Sequence, residues 1–357
     1  MSIKENRILD PLIGFTMEEL ELLAEKLGEK SFRGRQIFEW LYNYQVDNIL
    51  LMTNLPKYFR EKLKDISFHT LKLIKDNSSN SKKTRKFVFE LSNGQKIESV
   101  LMKNRDRITI CLSTQVGCAV DCKFCATAKM GFKKNLSVGE IIDQFIQIQK
   151  LINQKITNVV FMGMGEPFLN YKNTIGAANL LHHSKGINLG AKRITISTAG
   201  IVPKIRQYAD ELHPYKLAIS LNAVSNDQRL EIMPISRVYP FKDLIKVSKN
   251  YAYNSRKKVT FEYVLLKNIN DSIEDANKLI MLLKNINCKL NVIPYNEIGN
   301  EFQRPSEKRI KDFIYVLRNV KFPVTVRWSK GIDIDAGCGQ LVIKAEAENE
   351  YKPNRFN

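Results

Sequence analysis

Between residues 108 and 328 the sequence alternates between strand-like and helix-like runs. Seven short runs rich in β-branched and aromatic residues, such as ITICLST, KRITIST and PVTVRW, are separated by six longer amphipathic runs, such as VGEIIDQFIQIQKLI. Strands and helices that alternate in this way form parallel sheets through right-handed crossovers. Six βα units are too few to close an eight-stranded barrel, so the pattern predicts an open, partial (βα)6 barrel. Ligands of such sheets bind beyond the C-terminal ends of the strands.

The segment before this alternation has a different pattern. Three amphipathic runs predict a small helical unit, whose first helix begins with the capping-box spacing of Thr16 and Glu19 and ends at Gly28. The hydrophobic period then changes to two, and RKFVFEL and KIESVLM flank an Asn93-Gly94 turn, which predicts a β-hairpin. The predicted organisation is a helical accessory domain (1–70), a β-hairpin extension (71–107), the α/β barrel domain (108–342) and a disordered polar tail (343–357).

The charge balance is strongly basic. The chain has 56 Lys and Arg against 37 Asp and Glu, a formal net charge of +19. Self-repulsion of this size favours a polyanionic partner. Basic tracts such as SNSKKTRK and NSRKKV are spread along the chain, which indicates a broad surface facing nucleic-acid phosphates. The alternative is a lysine-rich composition without a nucleic-acid partner.

The sequence contains no membrane or export pattern. No apolar run approaches the ~20 residues that a membrane span needs. The start of the sequence also lacks the charged, apolar and small-residue segments of a signal peptide. We therefore expect a cytoplasmic protein without a membrane partner.

Three of the six cysteines lie within eight positions, in the loop after the first barrel strand: Cys118, Cys122 and Cys125. The cytosol keeps thiols reduced, so metal binding or catalysis is their expected use. Three thiolates can hold three irons of a [4Fe–4S] cluster and leave the fourth iron open to a small molecule. A structural zinc site needs a fourth ligand, for which it would have to recruit a distant histidine. Buried thiols without a ligand role are the other alternative.

The spacing C-x3-C-x2-C, with Phe124 before the last cysteine, resembles the signature of radical S-adenosylmethionine (SAM) enzymes, which have a partial (βα)6 barrel. Longer segments, among them CLSTQVGCAVDCKFCATAKMGF, FMGMGEPFLN and GIDIDAGCGQL, are similar in the same order to the RlmN/Cfr family of adenine methyltransferases acting on RNA. The resemblance runs from about residue 85 to 342, and more loosely over the helical start. It implies a radical SAM barrel, a [4Fe–4S] cluster on the three cysteines, and SAM as cofactor.

The resemblance also implies roles outside the cysteine loop. Cys338 would be methylated to form an intermediate, Cys111 would be its redox partner, and Glu98 would accept a proton. The residues implied to contact SAM follow the ends of successive strands: Gly165, Glu166, Ser197, Ser220, Leu221, Asn222 and Asn296. Taken singly, the two serines also suit strand-end capping, and Glu98 also suits a solvated strand carboxylate.

The implied reaction is methylation of adenine C2 in 23S ribosomal RNA, at the peptidyl transferase centre, and of the adenine beside the anticodon in transfer RNA. An electron donor such as flavodoxin would serve the cluster. The near alternative is C8 methylation by the resistance branch of the family, although QVGCAVDCKFC and MGEPFLN are more similar to the C2 branch. Two further alternatives are a zinc-dependent RNA-binding protein without catalysis and a radical SAM enzyme that activates a protein or alters a small metabolite.

Overall fold

A computed structural model describes residues 11–343 of the protein. Its first elements are the helices α1 (Met17–Lys26), α2 (Phe32–Tyr42) and α3 (Lys57–Leu63). The predicted capping box is present, because the Thr16 hydroxyl accepts a hydrogen bond from the Glu19 amide (3.2 Å) and the Glu19 carboxylate accepts one from the Thr16 amide (2.9 Å). Residues 1–10 and most of the predicted polar tail (344–357) lie outside the described residues.

An antiparallel extension follows the helices. It contains three strands where the sequence predicted two: β1 (Leu71–Ser78), β2 (Thr84–Leu91) and β3 (Lys96–Asn104). The predicted hairpin turn joins β2 to β3. We missed β1 because it is a half-buried edge strand whose register shifts between Leu73 and Lys75, so its sequence lacks a clean alternation. The strand β3 continues the sheet by pairing antiparallel with β4 (Arg107–Cys111).

A separate two-stranded ribbon comes after β4. It consists of β5 (Gln115–Gly117) and β6 (Phe132–Asn135), which pair antiparallel. The stretch between these two strands contains all three clustered cysteines. The ribbon therefore closes the base of the cysteine loop.

The strand β4 also begins the parallel part of the large sheet. The next parallel strands are β7 (Asn158–Phe161), β8 (Ile194–Thr198), β9 (Lys216–Ser220), β10 (Val259–Leu265), β11 (Cys288–Pro294) and β12 (Val324–Val326). The connecting helices are α4 (Val138–Leu151), α5 (Tyr171–His182), α6 (Val202–Asp210), α7 (Asn226–Ile232), α8 (Phe241–Ser255), α9 (Ile273–Leu283) and α10 (Glu307–Val316). Within residues 11–343 no ladder joins β12 to β4, so the predicted open α/β barrel is confirmed. The short helix α7 was not predicted.

The strand period decides which side chains face the barrel interior. On β10, Phe261 and Tyr263 are fully buried, and the Tyr263 ring stacks on Phe313 of α10 with 5.8 Å between ring centroids. These two rings therefore pack under the helices. Because successive side chains of a strand point to opposite faces, Glu262 between them points into the barrel.

The C-terminal segment crosses to the antiparallel extension. The Asn80 amide donates to the Asp333 carboxylate (2.7 Å), and the Val342 amide donates to Glu98 Oε2 (2.9 Å). These contacts bring residues at the far end of the chain against β3 and the β1–β2 turn. No helix among the described residues is long and apolar enough to cross a membrane.

Candidate active site

The cysteine loop is held by its own backbone. The Cys118 amide donates to the Gly131 carbonyl (3.1 Å), and the Cys125 amide donates to the Cys122 carbonyl (3.0 Å). All three cysteines are partly buried and none is in a disulfide. The three cysteines thus lie on one loop beyond the C-terminal end of β4, where the sequence placed that loop.

An apolar shell surrounds this loop, apart from the main core. Cys118 and Cys122 pack against it, and its members are Val120, Phe124, Ala199, Ile232, Met233, Leu266, Tyr295 and Phe302. Burial raises the pKa of Cys118 to about 12 and that of Cys122 well above its ordinary value. Thiols in such surroundings become thiolates only when a cation compensates their charge. The irons of a cluster supply that charge.

The three thiols of the cysteine loop suit a cluster in which each thiolate binds a different iron. Within residues 11–343, no three His, Cys, Asp or Glu side chains form a group that could hold a metal ion. A tetrahedral zinc ion needs all its ligands around one point, whereas the cysteines of a [4Fe–4S] cluster bind separate irons. Three cysteines on one loop fit the second arrangement.

Glu166 is a buried carboxylate at the end of the second parallel strand. Its oxygens accept hydrogen bonds from the amides of Phe168 (2.9 Å) and Ala199 (2.7 Å). Burial raises its pKa to about 7, and these amide donors oppose the rise. The neighbouring Gly165 has a φ of +98°, and a Cβ there would lie 2.5 Å from Gln115 Cβ. This glycine is therefore needed for packing against β5.

The other predicted SAM contacts lie near the strand ends. Ser197 is half-buried and alternates with the fully buried Ile196, so it faces the barrel interior. Ser220 ends β9 and is the register partner of Glu262 on β10. Leu221 is fully buried. Asn222 has a φ of +59°, and its Oδ1 accepts a hydrogen bond from the Val264 amide (2.9 Å).

Arg229 on α7 is a site residue that the sequence analysis missed. It is fully buried and donates to the carbonyls of Ala199, Ser220 (3.1 Å) and Leu221 (3.2 Å), and to the Ser236 hydroxyl (2.6 Å). One guanidinium thus fixes the ends of β8 and β9. The only sequence signal was a basic residue two positions before the segment EIMPIS (231–236).

Asn296 connects the predicted SAM site to the C-terminal loop. Its amide nitrogen donates to the Cys338 carbonyl (3.0 Å) and to the Ser329 hydroxyl (2.7 Å). Its Oδ1 is buried and has no partner among the described residues. An unpaired buried acceptor is costly, so this oxygen suits a donor group of a bound ligand such as SAM.

Cys338 lies beside the cysteine loop. The next residue, Gly339, accepts a hydrogen bond from the Ala126 amide (2.7 Å). A Cβ at the preceding residue, Gly337, would lie 2.5 Å from the Gln340 side chain. The glycine therefore permits close packing, and Cys338 itself stays solvent-exposed.

Cys111 lies in the same neighbourhood as Cys338. Burial raises the pKa of Cys111 to about 12, and the negative charge of Cys338 raises it further, while Arg327 lowers it. Desolvation of the Cys338 sulfur raises its pKa, and the positive charge of the Arg327 guanidinium opposes that rise. Both thiols are free. The structure thus brings together two cysteines 227 residues apart in sequence (338 − 111) beside one cation.

Glu98 on β3 is buried, not solvated. It forms an ion pair with Lys86 (2.9 Å), and its other oxygen accepts the Val342 amide (2.9 Å). Burial raises its pKa, and Lys86 opposes that rise. Its role as a proton acceptor stays a prediction.

Comparisons with known proteins agree with this arrangement. The radical SAM superfamily model matches residues 112–280, and the model of the ribosomal RNA large subunit methyltransferase N-terminal domain matches residues 11–68. A probable dual-specificity RNA methyltransferase RlmN from Clostridium beijerinckii is 44% identical over 337 residues, which cover 93% of this chain and 95% of that protein. The chain belongs to the RlmN family of radical SAM RNA methyltransferases.

A further relative and a solved structure give the same result. The probable dual-specificity RNA methyltransferase RlmN of Leptospira interrogans is 42% identical, with 94% of this chain and 96% of that protein covered. The crystal structure of a radical SAM methyltransferase from Sphaerobacter thermophilus is 42% identical, has a TM-score of 0.89, and covers 93% of this chain and 99% of its own. The predicted family, fold and cofactors are thereby confirmed: the chain is an RNA methyltransferase that uses a [4Fe–4S] cluster and SAM.

The role of Arg229 in this RlmN family member can be tested. Arg229→Met leaves three buried carbonyls without their donor, so we expect the free energy of unfolding to fall by about 3 kcal/mol. SAM affinity should fall as well, because the ends of β8 and β9 lose their common support. Arg229→Lys keeps the charge but cannot make all four contacts. Its free energy of unfolding and its SAM affinity should therefore lie between those of the unaltered protein and those of Arg229→Met. Chemical unfolding and equilibrium SAM binding measure the two effects.

The matched control is Arg237→Met, which removes an exposed arginine a few residues away. It should change the free energy of unfolding by less than about 0.5 kcal/mol. If Arg229→Met proves as stable as Arg237→Met, the assignment of Arg229 is wrong.

Proposed function

We propose that this protein methylates C2 of an adenine in 23S ribosomal RNA, at the peptidyl transferase centre, and of the adenine beside the anticodon in transfer RNA. It would act in the cytoplasm with an electron donor such as flavodoxin. The observation that carries the proposal is the pair of free thiols, Cys338 exposed and Cys111 buried, next to the cysteine loop. Transfer through a protein sulfur requires two such cysteines in addition to the cluster ligands.

The cofactors are assigned to the residues that fit them. Cys118, Cys122 and Cys125 would hold the cluster. SAM would lie against Gly165 and Glu166, the strand-end residues Ser197 and Ser220 to Asn222, and the unpaired oxygen of Asn296. When bound, the cluster and SAM supply the radical that activates a methyl group. A radical route is needed because C2 of adenine has no lone pair with which to displace a methyl group.

The chain's own residues carry the methyl group. The Cys338 thiolate accepts it from SAM by nucleophilic substitution, and Arg327 beside it favours that thiolate. Once the carbon is joined to adenine, the Cys111 thiolate would attack the Cys338 sulfur. The bond between that sulfur and the carbon breaks, its electron pair leaves with the carbon, and the carbon takes up a proton to become the methyl group of the product. The Cys111–Cys338 disulfide that remains has to be reduced before the next turnover. Glu98 would accept the ring proton, and its raised pKa suits that task.

An RNA substrate agrees with the charge of the molecule. The net charge of +19 supplies the attraction to phosphates on which nucleic-acid binding depends. The target adenine has to leave its stack to reach the barrel interior, which favours a structured RNA with a mobile base.

Nucleoside analysis tests the proposed reaction. Ribosomal and transfer RNA from cells lacking the protein are incubated with the cluster-loaded enzyme, SAM and a reductant, then digested and analysed by mass spectrometry. We expect 2-methyladenosine from both RNAs. The production of 8-methyladenosine in its place would assign the chain to the C8 reaction, and the absence of any methylated adenosine would refute the proposal.

A further inference from the structure

Glu262 has an unused oxygen inside the barrel. Its Oε1 accepts a hydrogen bond from the Asn291 amide nitrogen (2.9 Å), but its Oε2 is buried and has no partner among residues 11–343. Only 5% of the residue is exposed. A buried acceptor without a donor is costly, and such groups are kept where a ligand supplies the donor.

Arg327 is the complementary group. Thr325 on β12 contacts Asn291 Oδ1 through its hydroxyl, so it faces the interior, and Arg327 two positions later faces the same way. The only side-chain partners of its guanidinium among the described residues are the sulfurs of Met162 (3.7 Å) and Met102 (3.9 Å). A thioether is a weak acceptor, so strong donor capacity remains free.

The two groups are close without being paired. The charge of Arg327 acts on Glu262 and on both cysteines, Cys111 and Cys338. However, Glu262 has no ion pair within 4.0 Å in the described part of the chain. Glu262 Oε2 is an acceptor and the Arg327 guanidinium is a donor, and both face the barrel interior without forming an ion pair. A polar group of a ligand could therefore bind to both.

Adenine has the matching pattern of groups. Along its Watson–Crick edge, the N6 amino group donates, N1 accepts, and C2 comes next. In the barrel, the charge of Arg327 acts on both Glu262 and Cys338, so one cation lies near the carboxylate and near the thiol that handles the methyl group. We infer that Glu262 and Arg327 recognise the flipped target adenine, with Glu262 Oε2 accepting from N6 and the Arg327 guanidinium donating to N1. This inference rests on the proposed function.

The target base is favoured over the adenosine of SAM as the ligand. Arg327 lies beside Cys111 and Cys338, the two cysteines that act on the RNA base. The inference also accounts for selectivity, because guanine would place its O6 acceptor against the carboxylate. Glu262 and Arg327 are therefore specificity-determining residues.

Binding measurements with altered bases test the inference without turnover. The cluster-loaded protein, with no reductant present, is titrated with an RNA stem-loop whose target adenine is kept or replaced by purine, 1-deazaadenine or 7-deazaadenine. Purine lacks the N6 donor and 1-deazaadenine lacks N1, so each should bind about 10- to 100-fold more weakly than adenine. The RNA with 7-deazaadenine should bind as adenine does.

Variants assign each contact to one residue. Glu262→Met should bind the adenine RNA as weakly as the purine RNA, and Glu262→Gln, which keeps an acceptor oxygen, should regain part of the difference. Arg327→Met should bind the adenine and 1-deazaadenine RNAs equally well, because the donor to N1 is gone. It should still bind the purine RNA more weakly than the adenine RNA. The control Glu274→Gln removes an exposed carboxylate on α9 and should behave as the unaltered protein. Iron content and chemical unfolding show that each variant is folded, and SAM binding is measured separately.

Two outcomes would overturn the inference. One is unchanged discrimination between adenine and purine in Glu262→Met. The other is a loss of SAM binding in Glu262→Met with base discrimination intact, which would assign the carboxylate to the adenosine of SAM. Failure of the proposed C2 reaction can be told apart from failure of this inference. If the product were 8-methyladenosine, the proposed position of methylation would be refuted. If discrimination between adenine and purine still depended on Glu262 in that case, recognition by Glu262 and Arg327 would be supported.

Discussion

Cys338→Ala is expected to abolish methyl transfer to RNA while leaving the cluster in place. Alanine has no sulfur to accept the methyl group, so the rate should fall on the order of a thousandfold or more. The cluster ligands are untouched, and the backbone contacts that hold the loop, from Asn296 to the Cys338 carbonyl and from Ala126 to the Gly339 carbonyl, do not involve the thiol. Methyl transfer from labelled SAM to RNA and iron content measure the two effects.

Cys288→Ala is the matched control. Cys288 is a free cysteine of the barrel, buried at the start of β11 with 2% of its surface exposed. Its replacement should cost some stability through lost packing and leave methyl transfer unchanged. If Cys338→Ala retained full activity with full iron content, transfer through Cys338 would be refuted. Loss of iron in Cys338→Ala would instead assign this cysteine to the cluster.

Much of the fold could be predicted because its signals are local. The strand and helix periods between residues 108 and 328 identified all seven parallel strands and the main crossover helices. The capping box at Thr16 and the turn at Asn93-Gly94 are decided by neighbouring residues. The cysteine spacing is local as well, so the position of the loop after the first parallel strand followed from a short stretch of sequence.

The parts that could not be predicted depend on distant contacts. Nothing near Arg229 indicates that it will reach three carbonyls on two strands. For Glu98, a solvated strand carboxylate stayed open as an alternative, because its buried partners are Lys86 on the neighbouring strand and the Val342 amide, which is 244 residues away. The contacts of Arg327 with the sulfurs of Met162 and Met102 require the sheet to curve until the end of its last parallel strand approaches β3 and β7. Such contacts follow from tertiary packing and not from the pattern along the chain.

Gly117→Ala is expected to prevent cluster loading by opening the base of the cysteine loop. Gly117 has a φ of +70°, and a Cβ there would lie 1.7 Å from the carbonyl oxygen of Gly131, which immediately precedes β6. The oxygen belongs to the backbone, and the position of a Cβ is fixed by the backbone, so no side-chain rotation relieves the clash. The β5–β6 ribbon has to separate, and with it the hydrogen bond from Cys118 to Gly131. We expect a loss of about 3 kcal/mol or more in the free energy of unfolding, and little bound iron.

Gly94→Ala separates this clash from ordinary backbone strain. Gly94 in the hairpin turn has a similar φ of +78°, but a Cβ there meets nothing within 4 Å. Its replacement should therefore cost roughly 1 kcal/mol and leave the iron content normal. Iron analysis after anaerobic purification, together with chemical unfolding, compares the two variants. Normal iron in Gly117→Ala would mean that the loop binds the cluster without the closed ribbon, whereas low iron in both variants would mean that general destabilisation suffices to lose it.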